Sequence, residues 1–181
     1  TNGAQLKTFA APLRAAGVSR LNISLDTLQP EKFTCLTRRG NLQDTLDGIA
    51  AAEAAGFDRL KLNCVLLGGV NDDEIGDFLR LTEDHPWEVR FIELMPMGPC
   101  AHWGAERFLP ASVILERFPA LRPLPEDGGV ARRYQLPGAQ GTVGLISPLS
   151  CDFCARCRRL RVTADGHLLP CLHGRAEQNL R

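Results

Sequence analysis

Two hydrophobic patterns alternate along the first half of the chain. Apolar residues spaced three and four apart predict helices, and strict apolar–polar alternation predicts strands. The helical spacing covers residues 4–16, 41–55 and 73–84, and the alternating spacing covers residues 18–25, 59–67 and 88–95. Helices and strands in this order are typical of a parallel sheet with right-handed crossovers. The pattern therefore predicts an α/β fold, and it fits both an open sheet and a (β/α) barrel.

Turn-forming residues punctuate these elements, and the pattern changes after residue 96. Asn71-Asp72, which follows Gly68-Gly69, predicts a turn and the N-cap of the third helix. Beyond residue 96, Pro and Gly become frequent and the predicted elements shorten. A helix at about 111–118 precedes strands near 132–136, 142–146, 159–163 and 167–170. We therefore predict two domains, residues 1–97 and residues 98–181.

Composition narrows the class of protein. The 181 residues carry no net charge, which argues against a general nucleic-acid or membrane-surface binder. No apolar run reaches the roughly 18 residues of a transmembrane helix, and no signal peptide opens the chain. The chain starts at Thr1-Asn2-Gly3 without an initiator Met, so we expect a fragment. Seven cysteines, four of them within residues 151–171, indicate a metal site in a reducing, cytoplasmic compartment.

The strongest candidate for chemistry is a cysteine cluster near the C-terminal end. Cys154, Cys157 and Cys171 have C-x2-C-x13-C spacing, and thiolates gathered this way select zinc or iron–sulfur. If Cys151 joins them, the site is a closed four-thiolate site, and if His173 joins them, it is a Cys3His zinc site. If neither joins, three thiolates hold a [4Fe–4S] cluster with one open iron. The spacing alone leaves zinc and iron–sulfur equally favoured.

Polar residues on the three predicted strands form a second candidate site. In parallel α/β folds, binding and catalytic residues gather at the carboxyl ends of the strands. The competing interpretation is that each such residue is an ordinary side chain at the edge of the sheet that extends into water. The candidates are Ser24 and Asp26 on the first strand, Lys61 and Asn63 on the second, and Arg90 and Glu93 on the third.

A pair of arginines lies between the metal-ligand candidates. Arg159 and Arg161 are two residues apart on a predicted strand, so their side chains share one face. Two adjacent guanidinium groups suit the oxygens of a phosphate or carboxylate. The alternative is a solvated basic strand without a ligand. The flanking cysteines favour an anionic substrate beside a metal.

These residues carry a family resemblance. The segment FCARCRRLRVTADGHLLPCLHG (153–174) resembles the C-terminal cluster segment of the molybdenum cofactor biosynthesis protein A family, the radical SAM GTP 3′,8-cyclases. Five earlier segments are similar to the same family in the same order. They are TNG (1–3), LNISLDTL (21–28), FTCLTRRG (33–40), GGVNDDEI (68–75) and RFIELMPMG (90–98).

The resemblance implies a fold, a reaction and a set of binding residues. The family has an incomplete (β/α) barrel that binds S-adenosylmethionine and a C-terminal segment with a second [4Fe–4S] cluster. It converts GTP to (8S)-3′,8-cyclo-7,8-dihydroguanosine 5′-triphosphate by radical chemistry. By resemblance, Cys154, Cys157 and Cys171 ligate the second cluster, whose open iron takes the guanine base. The other implied positions are Thr1, Lys61, Arg90, Arg159 and Arg161 for GTP, and Ser24 and Met95 for S-adenosylmethionine.

The chain also departs from the family pattern. Arg158 stands where the family usually has Asn, and Cys151 is an additional cysteine. The family's first cluster motif, C-x3-C-x2-C, lies upstream of TNG, so we expect this chain alone not to cleave S-adenosylmethionine. We expect a homodimer for the full-length enzyme, without nucleic-acid or membrane partners. Two alternatives stay open, a peptide-modifying radical SAM relative and a zinc-knuckle binding module.

Overall fold

The computed structural model describes residues 1–151, 160–171 and 178–180. Its α-helices are α1 (Leu6–Ala15), α2 (Pro30–Thr37), α3 (Leu42–Ala54), α4 (Ile75–Asp84) and α5 (Ser112–Arg117). Short 3-10 helices cover Gly98–His102 and Ala105–Arg107. The strands are β1 (Leu21–Ser24), β2 (Leu60–Leu66), β3 (Glu88–Glu93), β4 (Arg122–Pro123), β5 (Arg132–Gln135), β6 (Thr142–Ile146), β7 (Arg161–Val162), β8 (His167–Leu169) and β9 (Gln178–Asn179). The described helices are all too short or too polar to cross a membrane.

Six of the strands form one mostly parallel sheet. Its order is β1-β2-β3-β6-β5-β4, and the first four strands run parallel. Strands β5 and β4 add an antiparallel margin, and β7, β8 and β9 form a separate antiparallel sheet. The predicted mixed α/β class is confirmed. Strand β6 brings residues from beyond position 98 into the larger sheet, beside β3.

The two faces of the larger sheet differ in polarity. Buried and half-buried residues alternate along β2 and β3, because successive side chains point to opposite faces. Leu62 and Phe91 on the buried face pack with Phe78 of α4, whose ring meets that of Phe91 edge to face at 5.9 Å. A parallel sheet covered on both faces shows continuous apolar runs. The alternation here leaves one face polar and open for a site.

A close helix crossing brings the first residues of the chain to the sheet. Gly48 of α3 lies against the turn at Gly3, where a Cβ on Gly48 would come within 2.1 Å of the Gly3 carbonyl oxygen. Gly3 itself has a φ of 81°, which glycine adopts without steric cost. Thr1 then lies along β1, since its carbonyl accepts the Ser24 N–H at 2.9 Å.

Helix α4 begins later than the sequence predicts. The expected N-cap at Asn71-Asp72 is wrong, because residues 71–74 form a turn and α4 begins at Ile75 after Glu74. The side chains of Asn71 and Glu74 are hydrogen-bonded to other loops of the fold instead. Neither of these side chains caps the helix.

Candidate functional site

One carboxylate orients two cations on the polar face of the sheet. Lys61 Nζ lies 2.9 Å from Glu88 Oε2, and Arg90 Nε donates to Glu88 Oε1 at 2.6 Å. In the strand register Lys61 lies beside Glu88, and Asn63 lies beside Arg90. The structure thus brings the predicted residues Lys61 and Arg90 together, and Glu88 is a neighbour that sequence reasoning missed.

Electrostatics keep Glu88 charged. Burial raises the pKa of Glu88, but hydrogen bonds and charges from Arg90 and Lys61 outweigh burial and hold the pKa below its ordinary value. Gly144 of β6 leaves room for this group, since a Cβ there would lie 3.1 Å from Arg90 Cγ and 3.2 Å from Glu88 Oε1. The result is an ordered patch in which both cations retain donors for an anionic ligand.

A second row of polar residues crosses the same sheet two positions further along the strands. Ser24 lies beside Asn63, and Asn63 lies beside Arg90. The Asn63 Oδ1 atom is buried and has no hydrogen-bond partner in the described part of the chain. Thr1 adjoins this row through its carbonyl, which accepts the Ser24 N–H. Four predicted site residues, Thr1, Ser24, Lys61 and Arg90, therefore lie on or beside neighbouring strands.

The loops at the carboxyl ends of β1 and β2 are tied together by an asparagine. Asn71 Nδ2 donates to the carbonyls of Asp26 and Val65 at 2.7 and 2.8 Å. Its Oδ1 accepts the Leu67 N–H at 2.8 Å. Asn71 is buried, so these bonds satisfy backbone groups that water cannot reach. Its role is to shape the rim of the candidate site.

A buried glutamate reinforces the same rim. Glu74 is fully buried, and its carboxylate accepts the Thr27 hydroxyl at 2.7 Å and the Leu28 N–H at 2.6 Å. Lys32 Nζ supplies a cation at 3.1 Å from Glu74 and also pairs with Asp73 at 2.7 Å. This network fixes the path from β1 into α2 and requires no ligand.

Asp26 is a half-buried carboxyl group that no cation in the described part of the chain contacts. Burial raises the pKa of Asp26, and the Val65 N–H, which donates to its Oδ1 at 2.8 Å, offsets only part of that shift. The folded state therefore holds its proton to higher pH than the unfolded state does. Stability from this group is lost as the pH rises through that window.

We expect Asp26→Asn to raise the free energy of unfolding at pH 8 and to have little effect at pH 4, close to the ordinary carboxyl pKa of 3.8. The amide keeps the oxygen that accepts the Val65 N–H and removes the buried charge. Thermal denaturation at both pH values measures this, since 1 kcal/mol shifts Tm by roughly 2–4 °C at this size. Destabilisation that is larger at pH 8 than at the lower pH would show instead that the folded protein uses the Asp26 charge.

The cysteine-bearing region is described only in part. Cys171 is exposed and follows β8, whose Leu169 lies beside Arg161 of β7. Arg161 is half-buried, whereas its neighbours Leu160 and Val162 are 67% and 63% exposed. This is the reverse of a solvated basic strand, where the arginine would face water. The predicted positions Cys154, Cys157, Arg159 and His173 lie outside the described residues.

Other predicted positions occupy the surroundings of the sheet. Met95 is half-buried just beyond the end of β3. Cys151 lines a cleft of about 310 Å³ together with Asp127 and Arg133, whose side chains lie 3.3 Å apart. Within residues 1–151, 160–171 and 178–180, no three Cys, His, Asp or Glu side chains gather as a metal-binding group.

The fold and the polar patch define an α/β protein with cations arranged for an anionic ligand, and comparison with known proteins narrows this class. The family model described as Molybdenum Cofactor Synthesis C matches residues 87–181, and the model described as Radical SAM superfamily matches residues 1–82. The chain therefore belongs to the molybdenum cofactor synthesis family with a radical SAM segment, and the predicted family is confirmed.

Curated relatives match almost the whole chain. A GTP 3′,8-cyclase from Alkaliphilus oremlandii is 49% identical over 178 residues, which cover 98% of this chain and 56% of the relative. GTP 3′,8-cyclases from Peptoclostridium acidaminophilum and Heliobacterium modesticaldum are 48% and 51% identical, with 56% and 57% of the relatives covered. The chain thus spans a little over half the length of these relatives.

Proposed function

We propose that this chain forms the GTP-binding and second-cluster part of a GTP 3′,8-cyclase, a radical SAM lyase of molybdenum cofactor biosynthesis. The enzyme would convert GTP to (8S)-3′,8-cyclo-7,8-dihydroguanosine 5′-triphosphate. The observation that carries the proposal is the pairing of Lys61 and Arg90 through Glu88 on one open face of a parallel sheet. By resemblance to the family, these two cations contact GTP. The relatives named as cyclases support the same reaction.

In this proposal the sheet is part of an incomplete (β/α) barrel whose polar face points inward. The alternating burial of β2 and β3 supports it, because barrel strands present one face to the interior and the other to the helices. Residues 1–97 form the barrel part, and residues 98–181, which also contribute β6 to the sheet, form the segment for the cluster and GTP. Thr1 and the Lys61–Arg90 patch contribute to GTP binding, and Ser24 and Met95 line the S-adenosylmethionine pocket.

The proposed ligands fit an iron–sulfur cluster by their chemistry. Three thiolates, those of Cys154, Cys157 and Cys171, suit a [4Fe–4S] cluster with one open iron, and Cys171 is exposed and available. When bound, the cluster supplies that iron to the guanine base. Arg159 and Arg161 then hold the triphosphate. A first [4Fe–4S] cluster and a homodimer belong to the proposal for the whole enzyme.

The test is anaerobic reconstitution of the chain with iron and sulfide, followed by isothermal titration with GTP. We expect about four irons per chain and a broad absorption near 400 nm, the signature of a [4Fe–4S] cluster. GTP should bind the loaded chain, and Lys61→Ala should weaken that binding by about tenfold or more. A colourless protein that binds zinc would contradict the proposal and favour the zinc-knuckle alternative. Glu31→Ala, on helix α2, is the surface control.

A further inference from the structure

The last residue of β3 joins two separate loops. Glu93 is fully buried, and its Oε1 accepts the Ala111 N–H at 2.9 Å. Its Oε2 accepts the Leu149 and Ser150 N–H groups at 3.2 and 3.0 Å. The Ser150 hydroxyl also donates to Oε1. One carboxylate therefore satisfies four donors from the segments around Ala111 and Ser150.

The partners of Glu93 are polar groups rather than cations. In the part of the chain that the structure describes, only N–H and O–H donors contact the carboxylate. Burial raises the pKa of Glu93, and these hydrogen bonds outweigh burial and hold the pKa below its ordinary value. A buried carboxylate with several N–H donors is stable as an anion because the donors replace water.

The segment around Ser150, which Glu93 binds, leads directly to the cysteines in the sequence. Ser150 lies four residues before Cys154. The turn that contains Ser150 is closed by the Cys151 N–H, which donates to Ser147 O at 3.2 Å. The Leu149 side chain is 46% exposed, so apolar burial does little to hold this turn. Besides the continuity of the chain with β6, which ends at Ile146, the carboxylate of Glu93 connects this turn to the sheet by hydrogen bonds.

We propose that Glu93 is a positioning residue that anchors the base of the cysteine-bearing segment to the end of β3. This inference rests on the proposed function, since it assumes that Cys154 and Cys157 ligate a cluster. By fixing Ser150, Glu93 fixes the point from which the segment bearing Cys154 and Cys157 leaves the sheet. In this proposal, that fixed point helps the segment to hold the cluster.

The chain provides a matched control for a buried carboxylate. Glu74 is also fully buried and accepts a hydroxyl and a backbone N–H, but its partners Thr27 and Leu28 lie in the loop after β1. Loss of either carboxylate should lower stability. Only the loss of Glu93 should disturb the segment that carries the cysteines.

The experiment compares Glu93→Gln with Glu74→Gln after anaerobic reconstitution of each chain. We measure Tm, the rate at which a ferrous chelator removes iron, and the electron paramagnetic resonance spectrum of the reduced cluster. The glutamine amide places an N–H donor against the donors that the carboxylate accepted. We expect Glu93→Gln to lose iron about tenfold faster than the parent or more, with an altered spectrum. Glu74→Gln should lower Tm and leave both cluster readouts at the parental values.

Two milder replacements test the anchor if Glu93→Gln does not fold. Ser150→Ala and Thr27→Ala each remove one hydroxyl donor from a buried carboxylate. Faster iron loss from Ser150→Ala alone supports the anchor. The anchor is refuted if Glu93→Gln loses iron at the rate of the parent and has the same spectrum. If Glu93→Gln is unfolded, the same result for Ser150→Ala refutes it. A parent chain that takes up no iron would instead refute the proposed function on which the anchor depends.

Discussion

Replacement of Cys154, Cys157 or Cys171 by alanine is expected to abolish iron–sulfur binding. A cluster with one open iron has only three protein ligands, so each single replacement leaves two thiolates and a second open iron. A metal site of this kind binds its metal stably only when all of its protein ligands are present. Anaerobic reconstitution should give about four irons per chain for the parent and none that survives gel filtration for each variant.

Two further cysteines serve as controls for this prediction. Cys151→Ala should retain the full cluster, because the proposed ligand set of Cys154, Cys157 and Cys171 does not include Cys151. Cys35 is exposed on helix α2, and Cys35→Ala should also load iron like the parent. If Cys151→Ala loses the cluster as completely as the other variants, the site has four thiolates and the open-iron assignment is wrong.

The parallel sheet was predictable because its strands obey a simple period. Apolar residues on one face and polar residues on the other identified β1, β2 and β3, and the period of two placed Lys61 and Asn63 on one face. The register between strands was not predictable from the sequence. It places Lys61 beside Glu88, and this makes Glu88 the shared partner of two cations.

Helix α2 was missed because its local signals are weak. It spans Pro30–Thr37, and Phe33 is its only buried residue. The hydroxyl groups of two threonines donate hydrogen bonds to carbonyls four residues earlier. Thr34 donates to Pro30 O at 3.0 Å, and Thr37 donates to Phe33 O at 2.7 Å. Pro30 at the first helical turn was the signal that could have revealed it.

The polar anchors of the rim depend on contacts between distant parts of the sequence. Asn71 bonds to Asp26, and Glu74 bonds to Thr27, in each case across more than 40 residues. A sequence pattern shows Asn-Asp as a turn and cannot show which distant backbone groups the side chains satisfy. The burial of Cys64, in contrast, follows from the local pattern, since it occupies a buried position of the strand that the alternating spacing of residues 59–67 predicts.

Replacement of Arg159 or Arg161 by alanine is expected to weaken GTP binding by roughly 10- to 150-fold. Each guanidinium in the proposed site donates charge-assisted hydrogen bonds to the triphosphate, which contribute about 1.5–3 kcal/mol, at 1.4 kcal/mol per tenfold change in affinity. Arg161→Lys should recover only part of the loss, because lysine lacks the planar fork. Isothermal titration of the cluster-loaded chain with GTP measures each effect.

The matched control is an arginine that has a partner of its own. Arg80 lies on helix α4, has 69% side-chain exposure and pairs with Asp77 one turn away. Arg80→Ala should bind GTP like the parent, since surface ion pairs of this kind contribute little. Iron content must be equal across the variants, so that a change in GTP affinity reports the arginine and not the cluster.

The competing interpretation of Arg159 and Arg161 is a basic strand that only faces water. The half-buried Arg161 between exposed Leu160 and Val162 argues against it for one of the two positions. If the two arginines bind the phosphates, the loss of affinity on replacing them should depend on the charge of the ligand. The penalty of Arg161→Ala should be large for GTP and small for guanosine, which has no phosphates to hold. Equal affinity of the parent, Arg159→Ala and Arg161→Ala for GTP would show that these arginines do not bind the triphosphate. Lys61 and Arg90 would then be the remaining candidates for that role.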